Sequence, residues 1–186
     1  MKKKLCAAVL ALSLACPSFH AQNLVNETPE QKDKRMEWFH KAKLGIFIHW
    51  GIYAVKGVSE SWSFYNKYLP HDEYLKQCEG FTASKYDPKA WVELIKESGA
   101  QYTVLTTKHH DGVALWDTKQ NGISVVKNTP AKRDLVTPFV NEVRKAGLRL
   151  GLYYSLPDWS HPDYPNMTRT DVRYKDDPKR WDNFCK

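Results

Sequence analysis

The amino-acid sequence predicts an α/β fold built around a parallel β-sheet. Three β-rich segments alternate with two helical segments between residues 43 and 156. Such alternation is typical of βαβ units, in which right-handed crossovers bring the carboxyl ends of all strands to one side of the sheet. The chain has 186 residues, which is long enough for one domain with a substantial core.

The first 21 residues form a segment that we set apart from the fold. A lysine-rich start is followed by an apolar run from Leu5 to Ala15. This pattern is typical of a secretory signal and predicts cleavage after Ala21 and a secreted or periplasmic protein. Attachment of a lipid at Cys16 is an alternative, because "LSLAC" is similar to a lipobox. Residues 22–36 are then a polar connector, and no later segment approaches the roughly 20 apolar residues of a membrane span.

The first predicted strand and helix follow this connector. The segment "KLGIFIHWG", residues 43–51, is apolar and β-rich, and we interpret it as a buried strand. Residues 87–100 predict a helix, with Asp87 as the N-cap and Gly99 as the stop. Three apolar side chains at helical spacing predict its buried face, namely Trp91, Leu94 and Ile95.

The same alternation continues toward the end of the chain. Residues 101–107 predict a second strand, residues 134–147 a second helix ending at Gly147, and residues 148–156 a third strand. A further helix is predicted over residues 177–186.

Polar and aromatic side chains stand at the carboxyl end of each predicted strand. They are His49 and Trp50 on the first strand, His109, His110 and Asp111 on the second, and Tyr153, Tyr154 and Ser155 on the third. The connections on this side are long, whereas those on the opposite side are only a few residues. Active sites of α/β folds lie at this edge, so the pattern favours an enzyme over a structural module.

Three interpretations of the histidines remain open at this point. His49, His109 and His110, with Asp111, could bind a metal, although the first strand has no HxH and no helix has HExxH. They could equally be structural histidines with satisfied hydrogen bonds. The third interpretation, a polyol such as a sugar, is the best physical match, because imidazole, phenol and indole rings combine polar tips with apolar faces.

Aromatic residues are abundant along the same predicted rim, which supports a sugar ligand. They are Trp50, Trp62, Tyr65, Trp116, Tyr154 and Trp159. Nucleic acid is a poor alternative. The predicted signal carries three lysines and no acid, so removing it lowers the net charge from +7 to +4, and no block of Lys or Arg remains.

Three stretches of the sequence resemble glycoside hydrolase family 29, the α-L-fucosidases. They are "WFHKAKLGIFIHWGIYAV", "FTASKYDPKAWVELIKESGAQYTVLTTKHHDGVALWDT" and "GLRLGLYYSL", and the resemblance runs from about residue 37 to about residue 159. It implies that residues 37–186 are the N-terminal half of an incomplete (β/α)8 TIM-like barrel. It also implies a retaining exo-glycosidase that removes terminal α-L-fucose from fucosylated oligosaccharides or glycoconjugates, with no metal and no other cofactor.

The resemblance assigns substrate-binding roles to individual residues. His49 of "HWG" and both histidines of "KHHDG", His109 and His110, are similar to the histidines that bind fucose in the family. Tyr154 of "YYS" is similar to the tyrosine near the nucleophile, with Tyr153 as the second choice. Trp62 matches the tryptophan of an "EW" pair. Ser61 stands where many members have the Glu of this pair, and the nearest glutamate, Glu60, lies one residue before that position.

The catalytic carboxyl groups implied by the resemblance lie beyond Lys186. A retaining glycosidase needs a nucleophile and an acid/base about 5–5.5 Å apart. Asp111 and Asp158 are the carboxylates on the predicted rim, and the family pattern makes Asp111 structural. We therefore expect a fragment that is inactive alone. The alternatives are an inactive carbohydrate-binding remnant and a metal-dependent TIM-barrel hydrolase.

Overall fold

Five β-strands and seven α-helices appear in a computed structural model that describes residues 27–120, 122–164 and 177–186. The chain divides into two units, Met1–Trp38 and Phe39–Lys186, and all five strands belong to the second. The predicted signal sequence, with Cys16, lies outside the described residues. No helix within the described ranges is both long and apolar enough to cross a membrane.

The helices and strands have the following bounds. The strands are β1 (Gly45–Ile48), β2 (Tyr102–Lys108), β3 (Val113–Ala114), β4 (Ile123–Ser124) and β5 (Arg149–Tyr154). The helices are α1 (Pro29–Ala42), α2 (Trp62–Tyr65), α3 (His71–Leu75), α4 (Pro88–Glu97), α5 (Val125–Asn128), α6 (Val136–Lys145) and α7 (Pro178–Phe184). Short 3₁₀ turns cover Ile52–Ala54 and Lys76–Gly80.

The predicted parallel arrangement is confirmed for the three long strands. β2 is central and pairs in parallel with β1 on one side and β5 on the other, with Ile48 opposite Leu105 and Leu105 opposite Leu152. The two-residue strands β3 and β4 were not predicted. β3 joins β2 antiparallel through Lys108 and Ala114, which makes the sheet mixed.

The predicted helices form where capping residues start and stop them. Asp87 accepts a hydrogen bond from the Ala90 N–H at 3.0 Å and starts α4, and Gly99, with φ of 81°, follows its end. Asp134 lies one residue before the N-cap of α6 and accepts from two N–H groups of its first turn, those of Val136 at 2.7 Å and Thr137 at 3.0 Å. The N-terminal helix α1 occupies much of the stretch that we interpreted as a connector.

Apolar side chains of α4 and α6 form a core against the sheet. The fully or nearly fully buried members are Val92 and Ile95 from α4, Phe139 and Val143 from α6, and Leu105 from β2. The predicted face of α4 is correct for Ile95 and wrong for Leu94, which is 67 % exposed while Val92 is buried. The buried face of α4 is therefore turned around the helix axis, by about the angle between successive residues, from the face that the sequence predicted.

A second core lies under the long connections that follow β1 and β2. Its buried members include Ile52, Phe64, Tyr74, Leu115 and Leu135. These connections are therefore packed structure with their own apolar contacts. They can hold side chains in fixed positions over the carboxyl ends of the strands.

Candidate active site

His49 and His109 meet at the carboxyl ends of two neighbouring strands. His49 follows β1 and His109 follows β2, and their ring centroids are 5.3 Å apart. The parallel pairing of the strands dictates this closeness, because it aligns the two carboxyl ends. Glu60, on the connection after β1, reaches the same point, with its Oε1 3.8 Å from the Nε2 of His109.

His109 is held in place from its other ring nitrogen. Its Nδ1 is hydrogen bonded to the hydroxyl of Ser61, which is fully buried at the start of α2. Burial lowers the pKa of His109 to about 3, with further lowering from His110 and His49. The imidazole is therefore neutral near pH 7 and presents Nε2 toward Glu60.

His110 joins the same site although neighbouring residues of a strand face opposite sides. β2 ends at Lys108, and the chain turns at Gly112, whose φ is 78°, so the two rings lie at 76° with centroids 4.7 Å apart. A Cβ at position 112 would collide with Ser160 and Asp158. Both the positive φ and this close approach favour glycine at the turn.

The tautomer of His110 follows from its hydrogen bonds. Its Nδ1 is bonded to the Ser155 hydroxyl, and that hydroxyl donates its one proton to the Pro157 carbonyl oxygen at 3.0 Å. Nδ1–H must then be the donor to Ser155. Since burial lowers the pKa of His110, the ring is neutral and its Nε2 keeps a lone pair that can accept a hydrogen bond from a hydroxyl.

An aromatic wall stands beside His110. The Trp159 ring stacks on His110 with centroids 4.4 Å apart and on Tyr65 at 4.6 Å. Trp62 meets His110 and Trp159 edge-on and is 38 % exposed. The main chain at Trp159 is held against His110, because the backbone N–H of Trp159 donates to the His110 carbonyl oxygen at 2.7 Å. The wall offers apolar ring surface next to polar imidazole nitrogens.

Tyr153, rather than Tyr154, lies with the histidines. The Tyr153 ring stacks on His109 with centroids 5.6 Å apart and lies 6.2 Å from His49. Tyr154 is turned to the opposite face by strand alternation, 50 % exposed and 6.1 Å from the Trp116 ring. The structure therefore does not bring Tyr154 to the site where the sequence placed it.

The two predicted rim carboxylates have structural partners. Asp111 is buried and accepts hydrogen bonds from the Tyr74 hydroxyl at 2.6 Å and the Val113 N–H at 3.0 Å. Burial raises the pKa of Asp111 to about 6. Asp158 accepts from the Ser160 N–H and hydroxyl and lies 3.3 Å from the Nζ of Lys108. Neither group is placed to attack a ligand at the histidines.

Comparison with known proteins identifies the family. A family model described as "Alpha-L-fucosidase" matches residues 12–185. The chain belongs to the α-L-fucosidase family. It is 36 % identical over 163 residues to a tissue α-L-fucosidase of Macaca fascicularis, covering 77 % of this chain and 35 % of that protein.

Solved structures of fucosidases share the fold. An α-L-fucosidase of glycoside hydrolase family 29 from Bacteroides thetaiotaomicron matches with a TM-score of 0.68 and 36 % identity, over 80 % of this chain and 34 % of that one. Isoenzyme 1 from Paenibacillus thiaminolyticus matches with a TM-score of 0.67 and 38 % identity, over 81 % and 35 %. The chain thus spans about a third of the length of these relatives.

The fucosidase sequence pattern left Glu60 unassigned and gave Tyr153 only as a second choice. Glu60 was set aside because it is one residue early, yet its side chain reaches His109 while Ser61 holds the other side of that ring. Tyr153 was only the second choice for the tyrosine of "YYS", and the structure brings it, rather than Tyr154, against His109. Trp50 also lies elsewhere than predicted, stacked on Tyr86 and against Trp91.

Proposed function

We propose that the protein is a retaining exo-α-L-fucosidase and that this stretch supplies the sugar-binding part of its active site. Residues 37–186 would form the N-terminal half of a (β/α)8 barrel, as in the relatives that it matches. The observation that carries the proposal is the cluster of His49, His109 and His110 at the carboxyl ends of neighbouring parallel strands, within a chain of the fucosidase family.

The geometry of the cluster suits a deoxy-hexose. His110 accepts a hydrogen bond from one sugar hydroxyl through Nε2, and Glu60 accepts from another. His49, in ring contact with both His109 and Tyr153, adds a third polar contact. The exposed ring of Trp62 packs against the apolar C–H side of the sugar. The substrates are fucosylated oligosaccharides or glycoconjugates.

The reaction proceeds by double displacement. A carboxylate outside this stretch attacks the anomeric carbon and forms a glycosyl-enzyme, and a carboxylic acid protonates the departing oxygen. Water then hydrolyses the intermediate with retention. A fucosidase relative from Bacteroides thetaiotaomicron is described as a trapped covalent intermediate, which supports this course. The residues described above bind and orient the sugar without taking part in bond making.

The proposal is tested with the full-length product of the gene and 4-nitrophenyl α-L-fucoside. We expect hydrolysis of this substrate, no hydrolysis of the β-L-fucoside, and α-L-fucose as the first product seen by NMR. His110→Phe, which keeps an aromatic ring but removes both ring nitrogens, should lower kcat/KM by about tenfold or more, because the bond to the sugar, of about 1.5 kcal/mol, is lost together with the Nδ1 bond to Ser155 that orients the ring. Fucose binding without turnover would instead support a carbohydrate-binding remnant, and first release of β-L-fucose would contradict retention.

We further propose that residues 1–21 direct export to the periplasm or the outside of the cell. Cleavage after Ala21 would leave Gln22 as the first residue of the mature protein. N-terminal sequencing of the exported protein tests this. A mature protein that starts at Cys16 and carries lipid would favour the lipobox alternative.

A further inference from the structure

We propose that His49, Glu60 and His109 also bind a divalent transition-metal ion, Zn²⁺ foremost, and that the bound ion excludes the sugar. Their potential ligand atoms all lie within 4.8 Å of one another. Each comes from a different part of the chain, namely the ends of β1 and β2 and the connection between β1 and α2. The exclusion of sugar rests on the proposed function, whereas binding of the metal does not.

The chemistry of the three side chains matches a transition metal. Two imidazole nitrogens and one carboxylate are a common ligand set for Zn²⁺ and its neighbours, whereas Mg²⁺ and Ca²⁺ favour oxygen ligands. Three protein ligands leave a fourth position for water. The set differs from the one considered in the sequence, because Glu60 takes part in place of His110 and Asp111.

The distances require a small inward movement. Zn²⁺ bonds of about 2.0–2.2 Å place tetrahedral ligands about 3.4 Å apart. The His109 Nε2 and Glu60 Oε1 atoms are already 3.8 Å apart, so the remaining contraction falls mainly on His49. His49 is exposed and follows the end of a strand, so its side chain can rotate inward without disturbing a core.

The surroundings of His109 are those of a metal-binding histidine. Such histidines usually donate the ring N–H that does not face the metal to a neighbouring acceptor, which fixes the ring. The Nδ1 of His109 bonds to the buried Ser61 hydroxyl, and this leaves Nε2 directed at Glu60. In the tautomer with a proton on Nδ1, this bond is donated to the Ser61 hydroxyl and Nε2 keeps the lone pair that a metal needs.

Metal and sugar compete because they use the same atoms. A Zn²⁺ ion bonded to Glu60 and the histidines occupies the lone pairs that would accept hydrogen bonds from sugar hydroxyls. Micromolar Zn²⁺ should thus act as a competitive inhibitor of fucoside hydrolysis, raising KM and leaving kcat unchanged.

The test uses the full-length gene product, freed of metal and titrated with Zn²⁺ by calorimetry. We expect saturable binding at one site, weakened at least about tenfold by either His49→Gln or Glu60→Gln. The matched control is His40→Gln, an exposed histidine on α1, which should leave binding unchanged. Titration with Co²⁺ gives an independent reading, because a tetrahedral site produces visible absorption that both site variants should lose.

The outcomes separate the two proposals. Absence of saturable Zn²⁺ binding, or binding that both site variants retain, overturns the metal site whatever the hydrolytic activity. If Zn²⁺ binds at these residues while L-fucose leaves its apparent Kd unchanged in an active enzyme, the exclusion of sugar is overturned. If Zn²⁺ binds and no fucoside is hydrolysed, the metal site stands and the proposed function fails.

Discussion

At the scale of single residues, the site depends on how two adjacent histidines are held. His109 is fixed by Ser61 and His110 by Ser155, so each ring has one nitrogen committed to the protein. The free nitrogens can then meet a ligand without loss of side-chain entropy on binding. Removing either serine should loosen a ring that the rest of the site relies on.

His109 provides a prediction about pH. Burial lowers the pKa of its imidazole from 6.5 to about 3. We expect its ring to stay neutral at pH 5 in NMR spectra that follow the ring nitrogens of the full-length product. A titration midpoint near 6.5 would contradict the buried placement.

The lowered pKa of His109 also determines how this residue changes the free energy of unfolding with pH. The unfolded chain binds a proton at His109 more readily, so this residue makes the free energy of unfolding fall as the pH drops from about 6.5 toward 3. Asp111 acts oppositely between about 4 and 6, because burial raises its pKa to about 6 and the folded state binds its proton more readily. NMR of the individual ring is therefore the cleaner measurement.

The adjacent tyrosines provide a matched pair of variants. Tyr153→Leu should lower kcat/KM of the full-length product on an α-L-fucoside by about tenfold or more, because the ring packs against His109 and His49. Tyr154→Leu should change it by less than about twofold, since that ring lies on the opposite face near Trp116. Equal losses in both variants would show that the two faces of β5 are misassigned.

The sequence predicted most of the residues at the site, but it predicted only in part where their side chains point. The sequence identified His49, His109, His110 and Trp62 from their positions after strands and from the family pattern. It misplaced Tyr154 because the choice between neighbours depends on where β5 ends and on the irregularity of β2 between Thr106 and Lys108. Glu60 was not predicted as a site residue, because the position of its side chain depends on how the connection after β1 packs.

At the scale of elements, capping and periodicity predicted α4, α6, α7 and the three long strands, whereas part of α1 was interpreted as a polar connector. Asp87 and Gly99 bracket α4, β1 and β5 occur within their predicted ranges, and β2 extends one residue beyond its range, to Lys108. The short strands β3 and β4 and the helices α2, α3 and α5 could not be predicted, because two to five residues carry no periodic pattern. Their positions come from the second core under the connections.

Gly112 provides a prediction at this scale. Gly112→Ala should reduce the free energy of unfolding by more than Gly57→Ala, by about 1–3 kcal/mol. Both glycines have positive φ, 78° and 63°, but only a Cβ at position 112 meets Ser160 and Asp158, and nothing lies within 4 Å of one at 57. Urea unfolding of both variants measures the difference, and equal losses would contradict the close approach.

At the scale of the molecule, several apolar side chains of the sheet and its helices remain exposed. Phe47 of β1 is 50 % exposed, Leu152 of β5 is 49 % exposed, and Leu94 lies on the open face of α4. Packing of further structure against these side chains would remove apolar surface from water and stabilise the fold. The chain spans about a third of the length of its relatives, and in the proposed barrel further strands and helices would pack against these faces.

The 186-residue polypeptide alone should therefore be weakly folded and inactive. We expect it to bind a hydrophobic dye and to show no turnover of 4-nitrophenyl α-L-fucoside, because Asp111 and Asp158 are committed to structural partners. The full-length product under identical conditions is the control. Measurable turnover by the polypeptide would contradict this expectation and place a catalytic carboxylate within these residues.

The most direct measurement is a crystal structure of the full-length product with bound L-fucose. We expect sugar hydroxyls within about 3.2 Å of Nε2 of His110 and of a ring nitrogen of His49, with the sugar beside Tyr153 and Trp62. A sugar bound away from His49 and His110, or beside Tyr154 on the opposite face of the sheet, would contradict this expectation.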